Sequence, residues 1–266
     1  MESFYFILIA GLLLGLFQGF FAGLLGIGGG IIIVPALLYL LPGVNVPAEH
    51  VAHMAIATSL ASVVVSSTSS VFGHHKRGNV PWQLGPGLLP GITLGAFSGG
   101  FIAELFSSDI LQAIFACFLV TMALRMAIPG QPKASAQMPS NLWLAVWTFL
   151  IAAFASLMGV GGGILLVPFL VYFSLDLRKA LGCSSVCGAI IAFIGAFSYI
   201  ITGWNEVNLP QYSIGYVYLP ILLGLISTSM FTARLGVKAA GLMPVSLLKK
   251  IFASFMAIVG FSLLLG

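Results

Sequence analysis

The chain has 266 residues, of which 60% are hydrophobic and 6% are charged, with a formal net charge of +4. Its mean hydropathy is +1.14, and its apolar stretches reach the roughly 20 residues that a helix needs to cross about 30 Å of hydrocarbon. These values exclude a water-soluble protein and indicate an all-α polytopic membrane protein in contact with the lipid bilayer. The positive charge is therefore no sign of a nucleic-acid partner, and we expect none.

The apolar stretches predict ten helical segments, five in each half of the chain. The first stretch lacks a basic start and runs straight into a glycine cluster, so we expect no cleaved signal peptide. The predicted segments, in chain order, are 4–25, 31–41, 48–72, 83–105, 109–128, 141–157, 164–174, 178–202, 213–235 and 245–265.

One phrase occurs twice in the chain. Residues 25–35 read LGIGGGIIIVP and residues 158–168 read MGVGGGILLVP, with seven of eleven positions identical. The copies divide the chain almost in half, which predicts two repeats, 1–135 and 136–266, within one transmembrane domain. Because each glycine inside a helix costs roughly 1 kcal/mol relative to alanine, each copy also predicts an interrupted helix.

The distribution of charge predicts the topology. All Lys and Arg residues lie in or beside four connections, which by the positive-inside rule face the cytoplasm. When each connection is assigned in chain order to one side of the membrane, the two repeats have opposite orientations and both termini lie outside. Each repeat then contains a glycine-rich, broken or re-entrant hairpin of two half-helices that meet in mid-membrane, plus three spanning helices. Inverted-topology repeats of this kind are typical of secondary transporters.

The paired G-[IV]-G-G-G-x3-V-P phrases in a small, almost loopless membrane protein resemble the TauE/SafE sulfite exporter family, also grouped as the TSUP transporters. The resemblance implies transport of sulfur-containing anions, chiefly sulfite and small organosulfonates, across the cytoplasmic membrane. Since uncoupled movement of an anion runs outward under a negative-inside potential, we expect a secondary transporter that exports sulfite, thiosulfate or a sulfonate. An importer of organosulfonates or other small anions, or an anion channel, is the alternative. The sequence predicts no enzyme activity, cofactor or metal, and it leaves the oligomeric state open.

The chemistry of the glycine phrases also favours an anion. Helices that start after them direct unsatisfied N–H groups and about half a positive charge each toward the interruption. Hydroxyl groups occur at matching positions of the third and eighth segments and extend the candidate site. The alternatives are close helix packing for the glycines and bonds to the helix backbone for the hydroxyls. The candidate substrate-binding residues are Gly28, Gly29, Gly30, Gly161, Gly162, Gly163, Thr58, Ser59, Ser184 and Ser185.

Three other polar features have a structural and a functional interpretation. His53, five residues before Thr58, is a candidate for proton coupling, with a plain interfacial side chain as the alternative. Cys183 and Cys187 share a helix face, where small packing residues are favoured over a metal site because no His or acid joins them. Gln18 is the one amide inside the first segment, and structural hydrogen bonding is the favoured role.

Overall fold

The computed structural model describes residues 2–25, 28–44, 46–127, 138–239 and 245–265. Within these ranges the protein is almost entirely helical, with three short 3-10 turns at Leu41–Val44, Ala48–His50 and Trp82–Leu84. The α-helices are α1 (Glu2–Leu25), α2 (Gly30–Leu40), α3 (Val51–Lys76), α4 (Gly85–Ala103), α5 (Ser108–Ala127), α6 (Asn141–Leu157), α7 (Gly163–Tyr172), α8 (Leu177–Thr202), α9 (Leu219–Ala239) and α10 (Val245–Leu265).

The predicted fold class is confirmed, since six helices of the described chain are long and apolar enough to cross a membrane. They are α1, α3, α4, α5, α8 and α9. The ninth helix starts at Leu219 rather than at 213, because the preceding residues form a hairpin of β1 (Ser213–Ile214) and β2 (Val217–Tyr218). Its turn begins at Gly215, whose φ of 52° suits glycine.

In the first glycine-interrupted hairpin, formed by α1 and α2, the two helices differ in length. Helix α2 has 11 residues and α7 has 10, which is half a membrane span for each. Helix α1, in contrast, contains a 19-residue apolar stretch that is long enough to cross the membrane by itself. The two arms of this hairpin are therefore unequal in length, and the re-entrant arrangement of α1 and α2 stays a prediction.

Small residues hold two equivalent helix pairs together. Helix α1 runs alongside α9, where Thr228 Oγ1 donates to the Leu12 carbonyl at 2.7 Å. Helix α6 runs alongside α4 in the same way, with Thr148 Oγ1 donating to the Leu88 carbonyl at 3.3 Å. Glycines at both interfaces lie against the partner backbone, a packing that is common between membrane helices. The glycines are Gly11, Gly15, Gly19 and Gly224 in the first pair and Gly91, Gly95 and Gly99 in the second.

Helices α3 and α8 form the centre of the bundle and run antiparallel. Ser70 near the end of α3 faces Ser185 near the start of α8 at 3.3 Å. Farther along, a Cβ on Gly195 of α8 would lie 3.1 Å from Leu60 of α3. These two helices occupy equivalent places in the two halves, so their antiparallel contact supports the prediction of oppositely oriented repeats. The repeat boundaries and their orientation in the membrane stay predictions.

The charged connections lie at opposite ends of the bundle. Four acidic side chains from three different connections line one cavity of about 380 Å³. At the other end, Gly182 packs against the carbonyl of Asn79, which brings the basic connection after α3 next to the basic start of α8. One end of the described bundle is thus acidic and the other basic. By the positive-inside rule we expect the basic end to face the cytoplasm, and this orientation stays a prediction.

We expect single cysteines to label from opposite sides according to this charge separation. In a background without the native cysteines, an impermeant thiol reagent added outside should label Ser107→Cys and Val207→Cys. It should label His75→Cys and Leu177→Cys only after the membrane is permeabilised. All four positions are exposed in the structure, and each side receives one position from each half. Labelling of His75→Cys in intact cells would contradict the inverted arrangement.

Candidate substrate site

The two glycine clusters meet at the middle of α3. A Cβ on Gly28 would lie 2.8 Å from Val63 Cγ1 and 3.6 Å from the Cα of Gly161, so the clusters face each other across this valine. Gly30 packs against the carbonyl oxygen of Gly159. On the α8 side, a Cβ on Gly188 would lie 2.5 Å from the Gly161 carbonyl oxygen. We call this meeting point the glycine junction, and it is close-packed in this structure.

Left-handed glycines begin both short helices. Gly29 has a φ of 75° and precedes α2, and Gly162 has a φ of 71° and precedes α7. A side chain at either position would be strained, because L-residues with a Cβ rarely adopt this region. Neither helix start has a side-chain hydrogen-bond cap within the described chain. The N-termini of α2 and α7, at Gly30 and Gly163, therefore carry partial positive charge without a side-chain acceptor beside the two glycine clusters.

The predicted hydroxyls of α3 both contact the second half of the chain, at different places. Ser59 Oγ donates to the Gly159 carbonyl at 2.8 Å, directly beside Gly30. Thr58 Oγ1 accepts a hydrogen bond from the Tyr218 backbone N–H at 3.0 Å, which ties α3 to strand β2. Ser59 therefore belongs to the junction. Thr58 lies on the side of α3 that contacts the β-hairpin of β1 and β2.

The matching hydroxyls of α8 differ from those of α3. Ser185 Oγ donates to the Leu181 carbonyl at 2.9 Å and lies 3.3 Å from Ser70 Oγ. Ser184 Oγ is buried and has no hydrogen-bond partner among the described residues. It stands one turn before Gly188, on the helix face that packs against the second glycine cluster. The four hydroxyls thus have unequal surroundings, and their role in binding stays a prediction.

A row of serines on α3 was missed by the sequence reasoning. Ser62 Oγ donates to the Ser59 carbonyl at 2.7 Å, and Ser66 Oγ donates to the Gly28 carbonyl at 3.1 Å. Ser67 also lies at the junction, 3.1 Å from the position of a Cβ on Gly28. These hydroxyls recur every three or four residues on one helix face. That spacing, which continues from Ser59, is the signal in the sequence that points to them.

His53 lies away from the junction, in the acidic cavity. Its Nε2 is 3.2 Å from the Ala103 carbonyl, and its ring stacks on Tyr216 with centroids 5.1 Å apart. A role in proton coupling is therefore possible only through this cavity, which we call the acidic vestibule, and it stays a prediction. The vestibule is lined by Ala48, Glu49, His50, His53, Glu104, Phe106, Ser107, Ser108, Asp109, Glu206 and Tyr216.

The vestibule joins the two halves of the chain electrostatically. His50 Nε2 lies 3.5 Å from Glu49 and 3.7 Å from Glu206, so a protonated imidazole would bridge the first half to the second. Burial raises the pKa of Tyr216, and the neighbouring carboxylates of Glu104 and Glu206 raise it further. Tyr216 is therefore a neutral phenol at physiological pH, and its hydroxyl is hydrogen-bonded to Glu104.

The two cysteines of α8 lie in an apolar environment. Cys183 and Cys187 are free and buried, and they pack in a cluster with Leu166 and Ile191. A search of the described residues finds no group of three or more His, Cys, Asp or Glu side chains that could hold a metal ion. This packing supports the interpretation of the two cysteines as small core residues.

These features define a multi-pass membrane transporter built around two glycine-interrupted hairpins. The family model described as "Sulfite exporter TauE/SafE" matches residues 11–263. The chain therefore belongs to the TauE/SafE family, as the doubled glycine phrase predicted. No solved structure matches the chain significantly.

Three curated relatives are similar to this chain over nearly their whole length. A probable membrane transporter protein of Haemophilus influenzae is 40% identical over 98% of this chain and 99% of its own. A probable membrane transporter protein of Methanocaldococcus jannaschii is 28% identical over 99% of this chain and 98% of its own. The probable membrane transporter protein YdhB of Bacillus subtilis is 26% identical over 97% and 99% of the two chains. The names of all three relatives describe transport and name no substrate.

Proposed function

We propose that this protein exports sulfite, or a similar small sulfur-containing anion such as thiosulfate or a sulfonate, across the cytoplasmic membrane. The observation that carries the proposal is the glycine junction, where the uncapped starts of α2 and α7 lie beside the two glycine clusters in the middle of the bundle. The family name supports sulfite as the substrate.

Two helix starts supply a suitable amount of binding energy. A partly buried anion at a helix N-terminus gains up to about 2 kcal/mol. Two starts together give about 4 kcal/mol, which corresponds to a Kd of about 1 mM. Binding of this strength is weak enough for rapid release on the other side. A site built on lysine or arginine would hold the anion more firmly, and the basic residues in the described part of the chain lie near the ends of the bundle instead.

The acidic vestibule supports the export direction. Carboxylates of Glu49, Glu104, Asp109 and Glu206 line a cavity only about 380 Å³ in volume. Two of these carboxylates lie close together, because His50 Nε2 is 3.5 Å from Glu49 and 3.7 Å from Glu206. Their separation is therefore shorter than the Debye length of about 8 Å at physiological ionic strength. An anion arriving from this side is repelled, whereas an anion released into the vestibule is driven outward. If this end faces outside, the vestibule lowers the affinity for external anions, which suits an exporter, whereas the concentration gradient and the membrane potential set the net direction.

The closed junction supports a carrier over an open channel. A Cβ on Gly28, Gly161 or Gly188 would lie within 3.0 Å of a neighbouring atom. An anion therefore needs a rearrangement of the hairpins to pass. Repeats of opposite orientation can alternate between two such closed arrangements by moving against each other. Conduction through a fixed pore fits this packing less well.

The proposal is tested by flux measurements in proteoliposomes. Vesicles containing the purified protein should release radiolabelled sulfite, thiosulfate or methanesulfonate faster than protein-free vesicles, and the rate should saturate with the internal anion concentration. Chloride-loaded vesicles provide the control for general anion leakage. Flux that rises linearly without saturation would indicate a channel, and the absence of flux for every sulfur-containing anion would contradict the proposal.

A further inference from the structure

Gln18 of α1 lies at the glycine junction. Its side chain is fully buried, and a Cβ on Gly29 would lie 2.7 Å from Gln18 Cγ. The amide therefore covers the turn that begins α2. Gln18 Nε2 donates a hydrogen bond to Ser62 Oγ at 2.7 Å.

The orientation of this amide is fixed by its neighbour. Ser62 Oγ donates its only hydrogen to the Ser59 carbonyl at 2.7 Å. Toward Gln18, the Ser62 hydroxyl can therefore act only as an acceptor, so the amide must present its nitrogen to it. The carbonyl oxygen, Gln18 Oε1, is the atom that is left. This oxygen is buried and has no hydrogen-bond partner in the described part of the chain.

A buried acceptor without a donor is unfavourable and rare in folded proteins. Next to the start of α2, which attracts negative charge, Oε1 is also the wrong group for a simple anion, which offers only further acceptors. An anion that carries its own O–H or N–H group satisfies both features. Its oxyanion faces the helix starts at Gly30 and Gly163, and its hydrogen faces Oε1. A bare metal cation would need several oxygen ligands, whereas a single acceptor suits a single hydrogen.

We propose that Gln18 Oε1 selects singly charged anions that carry their own hydrogen-bond donor, such as hydrogensulfite or a hydroxyalkanesulfonate, over sulfite dianion and donor-free sulfonates. This inference rests on the proposed function and names the substrate class of the same site. Ser62 is the positioning residue, since it keeps the oxygen of the amide turned toward the substrate.

The test compares two sulfonates of constant charge. Hydroxymethanesulfonate and methanesulfonate are both monoanions at neutral pH, and only the first carries an O–H donor. In proteoliposomes, we expect kcat/KM of the wild-type protein to be at least about tenfold higher for hydroxymethanesulfonate, the factor expected of one hydrogen bond in a buried charged site. Gln18→Leu should reduce this ratio to about one.

Ser62→Ala provides a second variant with Gln18 intact. Without the serine oxygen, the amide is free to rotate and to offer Nε2. In this variant, kcat/KM for methanesulfonate should therefore rise relative to kcat/KM for hydroxymethanesulfonate. A purely structural role for Gln18 would lower both rates equally and leave the ratio unchanged, which would overturn the inference. If the wild-type protein carries both anions equally well, only the substrate selection is refuted. If it carries no sulfur-containing anion, the proposed function fails and the inference with it.

Discussion

Gly29→Ala and Gly162→Ala are expected to reduce transport at least about 100-fold while the protein still inserts into the membrane. Both glycines are in the left-handed region, where a side chain costs about 1–2 kcal/mol. A Cβ would also lie 2.7 Å from Gln18 Cγ at the first position and 2.6 Å from Ile191 Cδ1 at the second. The added methyl groups occupy the space in which the backbone would meet the substrate. Sulfite efflux from proteoliposomes, normalised to the amount of protein, measures the effect.

The matched control is Gly43→Ala. No atom lies within 4 Å of a Cβ built at Gly43, and its φ is not positive. This variant therefore introduces the same chemical change without strain or contact, and it should transport at the wild-type rate. Thermal unfolding of all three variants in detergent separates loss of transport from loss of folding. Wild-type flux in well-folded Gly29→Ala and Gly162→Ala would leave helix packing as the only role of these glycines.

A membrane potential is expected to drive the anion strongly outward. Between their terminal turns, the described helices carry no Asp or Glu that could relay a proton or bind a coupling cation. The negative charge of the substrate should therefore move without compensation. Moving one charge through 100 mV is worth about 2.3 kcal/mol, which corresponds to a concentration ratio of about 50-fold. At a potential of 100 mV, inside negative, a monoanion should accumulate outside by about this factor.

Potassium gradients with valinomycin set the potential in proteoliposomes, and the distribution of labelled methanesulfonate reports the ratio. A donor-free sulfonate is suitable because its charge does not change with pH. The logarithm of the ratio should rise linearly with the potential at constant pH and sodium concentration. A concentration ratio that does not change with the potential and instead follows an imposed sodium or proton gradient would contradict uncoupled movement of the anion. A proton-driven result would direct attention to His53 and the acidic vestibule.

Helical class, helix positions and the junction glycines were predictable from the sequence, because they depend on local properties. Apolar stretches of membrane length must form helices, since lipid offers no partner for backbone polar groups. Runs of three glycines interrupt the helices before Gly30 and Gly163, whereas the pair Gly99 and Gly100 stays within α4. The doubled phrase was specific enough to indicate the family. The short hairpin before α9 was missed because its two strands have only two residues each.

The surroundings of the junction required the tertiary structure. Gln18 and Ser62 are 44 positions apart, and no local pattern brings them together. The acidic vestibule likewise collects Glu49, Glu104 and Glu206 from separate connections, because α3, α4 and α8 pack with those ends side by side. Helix periodicity shows which face of each helix is polar, whereas the choice of neighbour depends on the complementary shapes of distant small residues. For this reason the unpartnered oxygen of Gln18 is visible only in the folded bundle.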